Sequence, residues 1–164
     1  MGQKPIGEQC FAALLESPLC DRLAVVVSNR NKTGWWQTNG IFELAQERQA
    51  AFIDNETRNT ERILTVIADR GVDTILSVQH PWILSGGVLD AVAGNAFNLH
   101  LAPLPAYKGH NAFSHAILNG DKTYAVTLHR MISEVDTGDI VFSEQFPIAP
   151  AETAFSLYKK ACIT

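Results

Sequence analysis

Short runs of aliphatic residues alternate with helical patterns along this chain, and this alternation restricts the available folds more than any other feature. Strand-like runs lie at residues 23–27, 51–53, 73–78, 96–100, 124–131 and 140–148. Apolar residues at helical spacing lie at 2–15, 41–48, 57–70, 86–92, 112–118 and 153–161. The alternation predicts an α/β fold: a Rossmann-like open, mostly parallel sheet with helices on both faces and antiparallel pairing near the final hairpin. In such sheets ligands bind at the carboxyl ends of the strands.

Composition narrows the class of protein. The 164 residues are 46% hydrophobic and 18% charged, which suits one globular domain. The net charge is −4, and the Lys and Arg residues are scattered, so nucleic acid is not an expected partner.

Cysteine usage and hydropathy exclude other classes. Cys10, Cys20 and Cys162 are far apart and form no Cys-x-x-Cys pair, so we expect neither a metal site nor a disulfide framework. No window approaches the ~18 apolar residues of a membrane helix, and the first 25 residues lack a signal-peptide pattern. We therefore expect a cytoplasmic protein without a membrane partner.

Asn98 and His100 are the first candidate site residues, at the end of the strand 96–100. Side chains alternate along a strand, so both face one side while Leu99 points away. Pro103 and Pro105 stiffen the loop that follows. An amide that caps a turn beside an edge histidine explains the pair equally well.

Asp136, in the segment "VDTG", is the third candidate. An amide and an imidazolium stabilise a developing oxyanion, and a carboxylate keeps the imidazole protonated. For Asp136 alone, a plain turn-forming role is the stronger interpretation, because Asp before Thr-Gly is common in turns.

The stretch "NLHLAPLPAYKGHNAFSHAILNGDKTYAVTLHRMISEVDTGDIV" resembles the folate-dependent formyltransferases. Their signature is an Asn-x-His at a strand end, a Pro-containing loop ending in an aromatic, a basic residue and Gly, and a later His followed by Asp-x-Gly. The matching residues here are Asn98, His100, Tyr107-Lys108-Gly109, His129 and Asp136-Thr137-Gly138. The resemblance covers residues 73–161 well and the earlier part more loosely.

This resemblance implies a single catalytic domain over residues 1–164. Asn98, His100 and Asp136 would form the catalytic triad that moves a formyl group from N10-formyltetrahydrofolate to an amine, without a metal. It also implies a set of folate-binding residues: Trp82, Ile83, Leu84, Leu89, Ile132, Ser133, Glu134 and Val135. For each aliphatic member a plain core position is at least as well supported, whereas Trp82 beside Pro81 is the better candidate.

Within the family, the chain is most similar to the enzymes that formylate a nucleotide-linked amino sugar, as in polysaccharide biosynthesis. Its substrate-binding residues would be Lys4, Trp35, Trp36, Tyr107, Lys108 and Gly109. A methionyl-tRNA formyltransferase is disfavoured by the acidic composition, and a glycinamide ribonucleotide enzyme by "GQKPIG", a weak version of a Gly-rich phosphate loop. A homodimer is compatible with this interpretation.

The chain departs from the family at its ends. The usual first strand is lacking before "GQKPIG", and the chain stops soon after the last helix, so truncation at both ends is expected. A non-catalytic relative that retains folate or nucleotide-sugar binding, and a hydrolase that releases formate, therefore stay open as alternatives.

Overall fold

The computed structural model describes residues 1–30, 40–56 and 58–164, in two compact units, Met1–Ala96 and Phe97–Thr164. The first unit contains helices α1 (Lys4–Glu16), α2 (Gly40–Glu47), α3 (Thr60–Arg70) and α4 (Gly86–Ala91), a 3-10 turn at Cys20–Arg22, and strands β1 (Val26–Ser28), β2 (Phe52–Asp54) and β3 (Ile75–Val78). Strand β4 (Ala96–His100) leads into the second unit, with α5 (Ala112–Asn119), β5 (Thr123–Arg130), β6 (Ile140–Pro147) and α6 (Ala154–Ala161).

The order of strands and helices follows the sequence prediction, and the α/β class with an open sheet is confirmed. Strand β1 is parallel to β2, with Val27 opposite Ile53. Strand β5 is antiparallel to both of its neighbours, β4 and β6, so less of the structure is parallel than the alternation predicted. The last two strands are joined by a turn-rich segment without a crossover helix, and such a connection produces an antiparallel pair.

The core of the first unit forms where amphipathic helices cover β1. Phe11 and Leu15 of α1 and Ile41 and Ala45 of α2 pack in one buried cluster with Val26 of β1. Each large apolar side chain buried in this way stabilises the fold by about 1.5–3 kcal/mol. This packing fixes the three-residue strand β1, which is too short to be stable alone.

Residues 1–3 lie between β1 and β3. The Gly2 amide donates to the Val27 carbonyl at 3.0 Å, and the Gln3 amide donates to the Val78 carbonyl at 3.1 Å. Gly2 pairs in parallel with Val78, and an added Cβ would lie 3.3 Å from the Val78 oxygen. The sequence predicted that the usual first strand is lacking, and in the structure this three-residue segment lies at that position.

The second unit is built on an aromatic cluster around Tyr124, which is fully buried in β5. The Tyr124 ring lies 5.0 Å from Phe113 of α5 and 5.9 Å from Phe146 of β6. Helix α6 begins at a capping box in which Thr153 and Ser156 each accept the other's backbone N–H, and it buries Leu157. The ring contacts of Tyr124 pack β5 against α5 and β6. Strand β5 also carries His129, one of the residues of the sequence motif.

Candidate active site

Asn98 and His100 lie on β4, opposite His129 and Thr127 of β5 in the antiparallel register. Because alternate residues share a face, the amide of Asn98 and the ring of His129 meet across the strands. The Asn98 Nδ2 and His129 Nε2 atoms are 3.2 Å apart. The register of two strands therefore places a second histidine beside the Asn-x-His pair.

Asp136 reaches these residues from the β5–β6 connection. The Arg130 amide donates to the Asp139 carbonyl at 2.9 Å, and this bond joins the two ends of the connection. Asp136 itself has a left-handed backbone, with φ of 52°. This conformation turns its carboxylate back toward β4 and β5.

The carboxylate of Asp136 lies between the two histidines. Its Oδ2 is 3.6 Å from His100 Nδ1 and accepts a 2.9 Å hydrogen bond from the Gly109 amide. Its Oδ1 is 3.4 Å from His129 Nε2. The side chains are 9% exposed for Asp136, 10% for His100 and 3% for His129, so the interactions take place largely out of water.

The charge on Asp136 is favoured by these neighbours. Burial pulls its pKa upward, but the hydrogen bonds to His129 and the Gly109 amide and the nearby imidazoles outweigh burial and leave the pKa below its usual range. The carboxylate is therefore ionised at neutral pH.

The ring of His129 is oriented by the backbone carbonyl of the next residue, Arg130. Its Nδ1 lies 3.0 Å from the carbonyl oxygen of Arg130, which can only accept a hydrogen bond, so this nitrogen carries a hydrogen. The Nε2 atom faces Asn98 and Asp136. In the neutral ring it accepts from the Asn98 amide, and only in the protonated ring does it donate to Asp136. His129 was part of the motif in the sequence but was not predicted as a site residue. Its period-two relation to Thr127 on the same strand gave no signal of its cross-strand neighbour.

The structure thus brings Asn98, His100 and Asp136, the three predicted catalytic residues, into one cluster, with His129 between Asn98 and Asp136. An amide, two imidazoles and an ionised carboxylate in a nearly dry site can stabilise negative charge on a carbonyl oxygen and hold a proton nearby.

The predicted folate-binding residues of the first unit divide by burial. Leu84 and Leu89 are buried core residues, whereas Trp82 and Ile83 are 41% and 63% exposed. The Trp82 indole donates to the Asn55 carbonyl at 3.1 Å, and the Ile83 carbonyl accepts from Arg58 at 3.0 Å. The exposed pair is therefore held in place by hydrogen bonds from side chains to backbone carbonyls.

Asn55 adds a buried donor next to Trp82, at the end of β2. Its side chain is almost fully buried, and its Nδ2 has no hydrogen-bond partner among the described residues. Asn55 was not among the residues predicted from the sequence.

In the second unit, the predicted folate-binding residues form an exposed run in the β5–β6 connection: Ile132, Ser133, Glu134 and Val135. Two of the four are apolar. They lead directly into Asp136.

The predicted acceptor-binding residues lie in several places. Lys4 begins α1 and donates from Nζ to Gln79 Oε1 at 2.9 Å. Lys108 is exposed, Tyr107 is partly buried, and Gly109 donates its amide to Asp136. Trp35 and Trp36 fall outside the described residues.

No group of three or more His, Cys, Asp or Glu side chains in residues 1–30, 40–56 and 58–164 is arranged to hold a metal ion. In the same ranges, no helix has the length and apolarity needed to span a membrane.

Residues 2–162 match the family described as Formyl transferase. Among solved structures, a glycinamide ribonucleotide transformylase 1 from Symbiobacterium toebii is 22% identical, with a TM-score of 0.81, over 99% of this chain and 78% of the other. A formyltetrahydrofolate deformylase from Pseudomonas syringae pv. tomato is 17% identical, with a TM-score of 0.79, over 99% and 54% of the two chains.

An N-formyltransferase from Helicobacter canadensis, in complex with folinic acid and dTDP-3-aminofucose, is 24% identical. Its TM-score is 0.78, over 99% of this chain and 56% of the other. At these identities the likeness establishes the fold, which the three proteins share although they are named for different activities.

Proposed function

The chain belongs to the formyl transferase family, and on that premise we propose that it transfers the formyl group of N10-formyltetrahydrofolate to the amine of a nucleotide-linked amino sugar. The observation that carries the proposal is the contact of the Asp136 carboxylate with both His100 and His129, the latter also contacting Asn98. A cytoplasmic role in polysaccharide biosynthesis is part of the same proposal.

In the proposed reaction, the acceptor nitrogen attacks the formyl carbon, and the carbonyl oxygen gains negative charge. Asn98 donates an N–H to this oxygen, and the protonated ring of His100 supplies positive charge beside it. The carbon–nitrogen bond to N10 then breaks. The proton lost by the acceptor nitrogen is taken up by the departing N10, with Asp136 assisting through its contact with His100.

The proposed folate-binding residues are supported by exposed apolar surface in each unit. The Trp82 indole donates to the Asn55 carbonyl and the Ile83 carbonyl accepts from Arg58, while both side chains stay exposed. Ile132 and Val135 are nearly half exposed. Flat heteroaromatic rings bind to such side chains because apolar area is removed from water. Leu84 and Leu89 are buried, so on this proposal they support the segment from within the core.

For the acceptor, Lys4 and the start of α1 are the supporting feature. Helix α1 has no side-chain cap at its first turn and no acidic residue there. The positive end of the helix dipole and the Lys4 ammonium would favour a phosphate group. A nucleotide-linked sugar and glycinamide ribonucleotide both carry phosphate, and the likeness to a transformylase named for the latter makes it the second candidate acceptor.

The proposal is tested by following tetrahydrofolate release from N10-formyltetrahydrofolate spectroscopically. The protein is assayed with nucleotide-linked amino sugars, with glycinamide ribonucleotide, and without an acceptor. His100→Ala is the test variant, and His115→Ala is the matched control because His115 is an exposed histidine of α5 outside the site.

We expect release that requires an amino-sugar acceptor, is lost in His100→Ala and is retained in His115→Ala. Release that requires glycinamide ribonucleotide would make that compound the acceptor in place of an amino sugar. Formate release without any acceptor would indicate a hydrolase. Folate binding without release in any arm would contradict the transferase and support the non-catalytic alternative.

A further inference from the structure

Tyr107 connects the loop after β4 to the rest of the second unit through two different groups. Its carbonyl oxygen is 2.7 Å from His100 Nε2. Its hydroxyl donates to Asp121 Oδ2 and accepts a 2.9 Å hydrogen bond from Asn119 Nδ2. One residue thus contacts the active-site histidine with its backbone and an outer anchor with its side chain.

The carbonyl contact assigns the hydrogen positions on His100. A carbonyl oxygen can only accept, so Nε2 must carry a hydrogen in both the neutral and the charged ring. The Nδ1 atom is then the nitrogen that gains or loses a proton, and it is the one that faces Asp136 at 3.6 Å. The opposite tautomer would place a lone pair against the Tyr107 carbonyl and remove this arrangement.

The anchor of the Tyr107 hydroxyl is built into the end of a helix. Asn119 is the last residue of α5, Gly120 ends the helix in the left-handed conformation, and Asp121 follows. The Asp121 amide donates back to the Ala116 carbonyl at 3.1 Å, which holds the backbone of Asp121 at the end of the helix. Hydrogen bonding to Asp121 raises the pKa of the Tyr107 phenol, so the phenol keeps its proton and remains a donor.

The same loop is attached at its beginning. The Thr127 hydroxyl donates to the Ala102 carbonyl at 2.8 Å, and the Tyr107 amide donates to the Pro103 carbonyl at 3.0 Å. The hydroxyl of Tyr107 attaches the later part of the loop to Asn119 and Asp121.

We propose that Tyr107, anchored by Asp121, is a positioning residue that holds His100 in the tautomer with hydrogen on Nε2 and directs its Nδ1 toward Asp136. The expected effect on kcat rests on the formyl transfer proposed above. The hydrogen-bond arrangement of Tyr107 and His100 does not depend on that reaction. The proposal gives Tyr107 a role other than acceptor binding, because both hydrogen-bonding directions of its hydroxyl are already used within the protein.

The kinetic test compares Tyr107→Phe, Asp121→Ala and Asp121→Asn. Phe keeps the ring but loses the hydroxyl, Ala removes the acceptor, and Asn keeps an oxygen that accepts from Tyr107. Tyr124→Phe is the matched control, since the buried Tyr124 hydroxyl has no hydrogen-bond partner among the described residues. Thermal unfolding of each variant establishes that it is folded.

We expect kcat to fall roughly tenfold in Tyr107→Phe and in Asp121→Ala, with the acceptor KM within about twofold of wild type. Asp121→Asn and Tyr124→Phe should stay within about threefold of wild type. A raised acceptor KM with unchanged kcat in Tyr107→Phe would instead make Tyr107 an acceptor contact and overturn the proposal.

The tautomer is measured directly by ¹⁵N NMR of the histidine rings, with His100 assigned from the spectrum of His100→Ala. Wild type should show hydrogen on Nε2 of neutral His100, and Tyr107→Phe should show a mixture of tautomers. An unchanged His100 spectrum in Tyr107→Phe would overturn the proposal. This measurement needs no turnover, so a protein that transfers no formyl group would contradict the proposed function without deciding the role of Tyr107.

Discussion

Asp136 combines a left-handed backbone with a carboxylate that contacts two histidines. Most side chains disfavour positive φ, but Asn and Asp tolerate it. Asp136→Asn therefore keeps the backbone and an oxygen that accepts from the Gly109 amide, and it removes only the charge. We expect kcat to fall at least ~100-fold, with folate binding retained. The check is a comparison of kcat and folate affinity in the two proteins, and an Asn variant with wild-type kcat would contradict a catalytic role for the charge.

The same pair of proteins gives a pH-dependent stability prediction. The pKa of Asp136 is lowered in the folded protein, so as the pH falls the unfolded chain binds the proton first. The stabilisation from the ionised carboxylate is fully present above about pH 4, the ordinary range for Asp, and is lost below it. Urea unfolding should show wild type more stable than Asp136→Asn at pH 7, with the difference shrinking as the pH falls below 4. A difference that grows in acid would be the contrary result.

His129 is expected to act on Asp136 through its Nε2 atom. His129→Leu removes the imidazole whose contact with the Asp136 carboxylate helps to lower the pKa of Asp136, so that pKa should rise, and kcat should fall roughly tenfold or more. The Asp136 titration can be followed by ¹³C NMR of the carboxyl group. His129→Gln is the control, because its terminal amide lies near the Nε2 position and can still donate. Equal pKa values for Asp136 in wild type and the Leu variant would contradict this role.

Part of the site is visible in the sequence at this scale. Period-two alternation alone places Asn98 and His100 on one face, and the structure has the two residues at positions 98 and 100 of a strand with the predicted bounds. The contacts made by His129 and by the Tyr107 carbonyl were not predictable. They depend on which residue of β5 lies opposite β4 and on how the loop after β4 folds back onto His100.

At the scale of elements, the turn between β5 and β6 requires a glycine at 138 for reasons of space. A Cβ added to Gly138 would collide with the carbonyl oxygen of Arg130, the same oxygen that accepts from His129 Nδ1. Gly138→Ala should therefore displace the turn, moving Asp136 and loosening the ring of His129. We expect a fall in both melting temperature and kcat, measured by thermal unfolding and by tetrahydrofolate release.

Gly71→Ala is the matched control for that substitution. Gly71 ends α3 with φ of 60°, and a Cβ there would meet nothing within 4 Å. Its cost is confined to the left-handed backbone, about 1 kcal/mol, and kcat should not change. If both variants lost stability equally and both kept full kcat, the close approach of Gly138 to Arg130 would have no role in the site.

At the scale of the whole molecule, strand pairing differs between the two units. Strand β5 is hydrogen-bonded to β4 and β6 and buries four successive residues, Tyr124–Thr127. Strands β1 and β2 pair over three residues only. Hydrogen-bonded amides open least often in a buried strand that has a paired neighbour on each side. In native-state hydrogen exchange, we expect the amides of 124–129 to exchange roughly tenfold or more slowly than those of 26–28 and 52–54; the opposite order would contradict this ranking.

The sequence by itself determined the α/β class, the succession of helices and strands, and the location of Asn98 and His100 on one face of a strand. These features depend on local periodicity and on turn residues such as Gly71 and Gly120, which act over a few neighbours along the chain. Only the tertiary structure decided that β4 and β5 are antiparallel, that His129 joins the site, and that Gly138 must lack a side chain. Those outcomes depend on register and on packing between residues far apart in the sequence, where hydrogen-bond geometry and excluded volume, and not local propensity, select the arrangement.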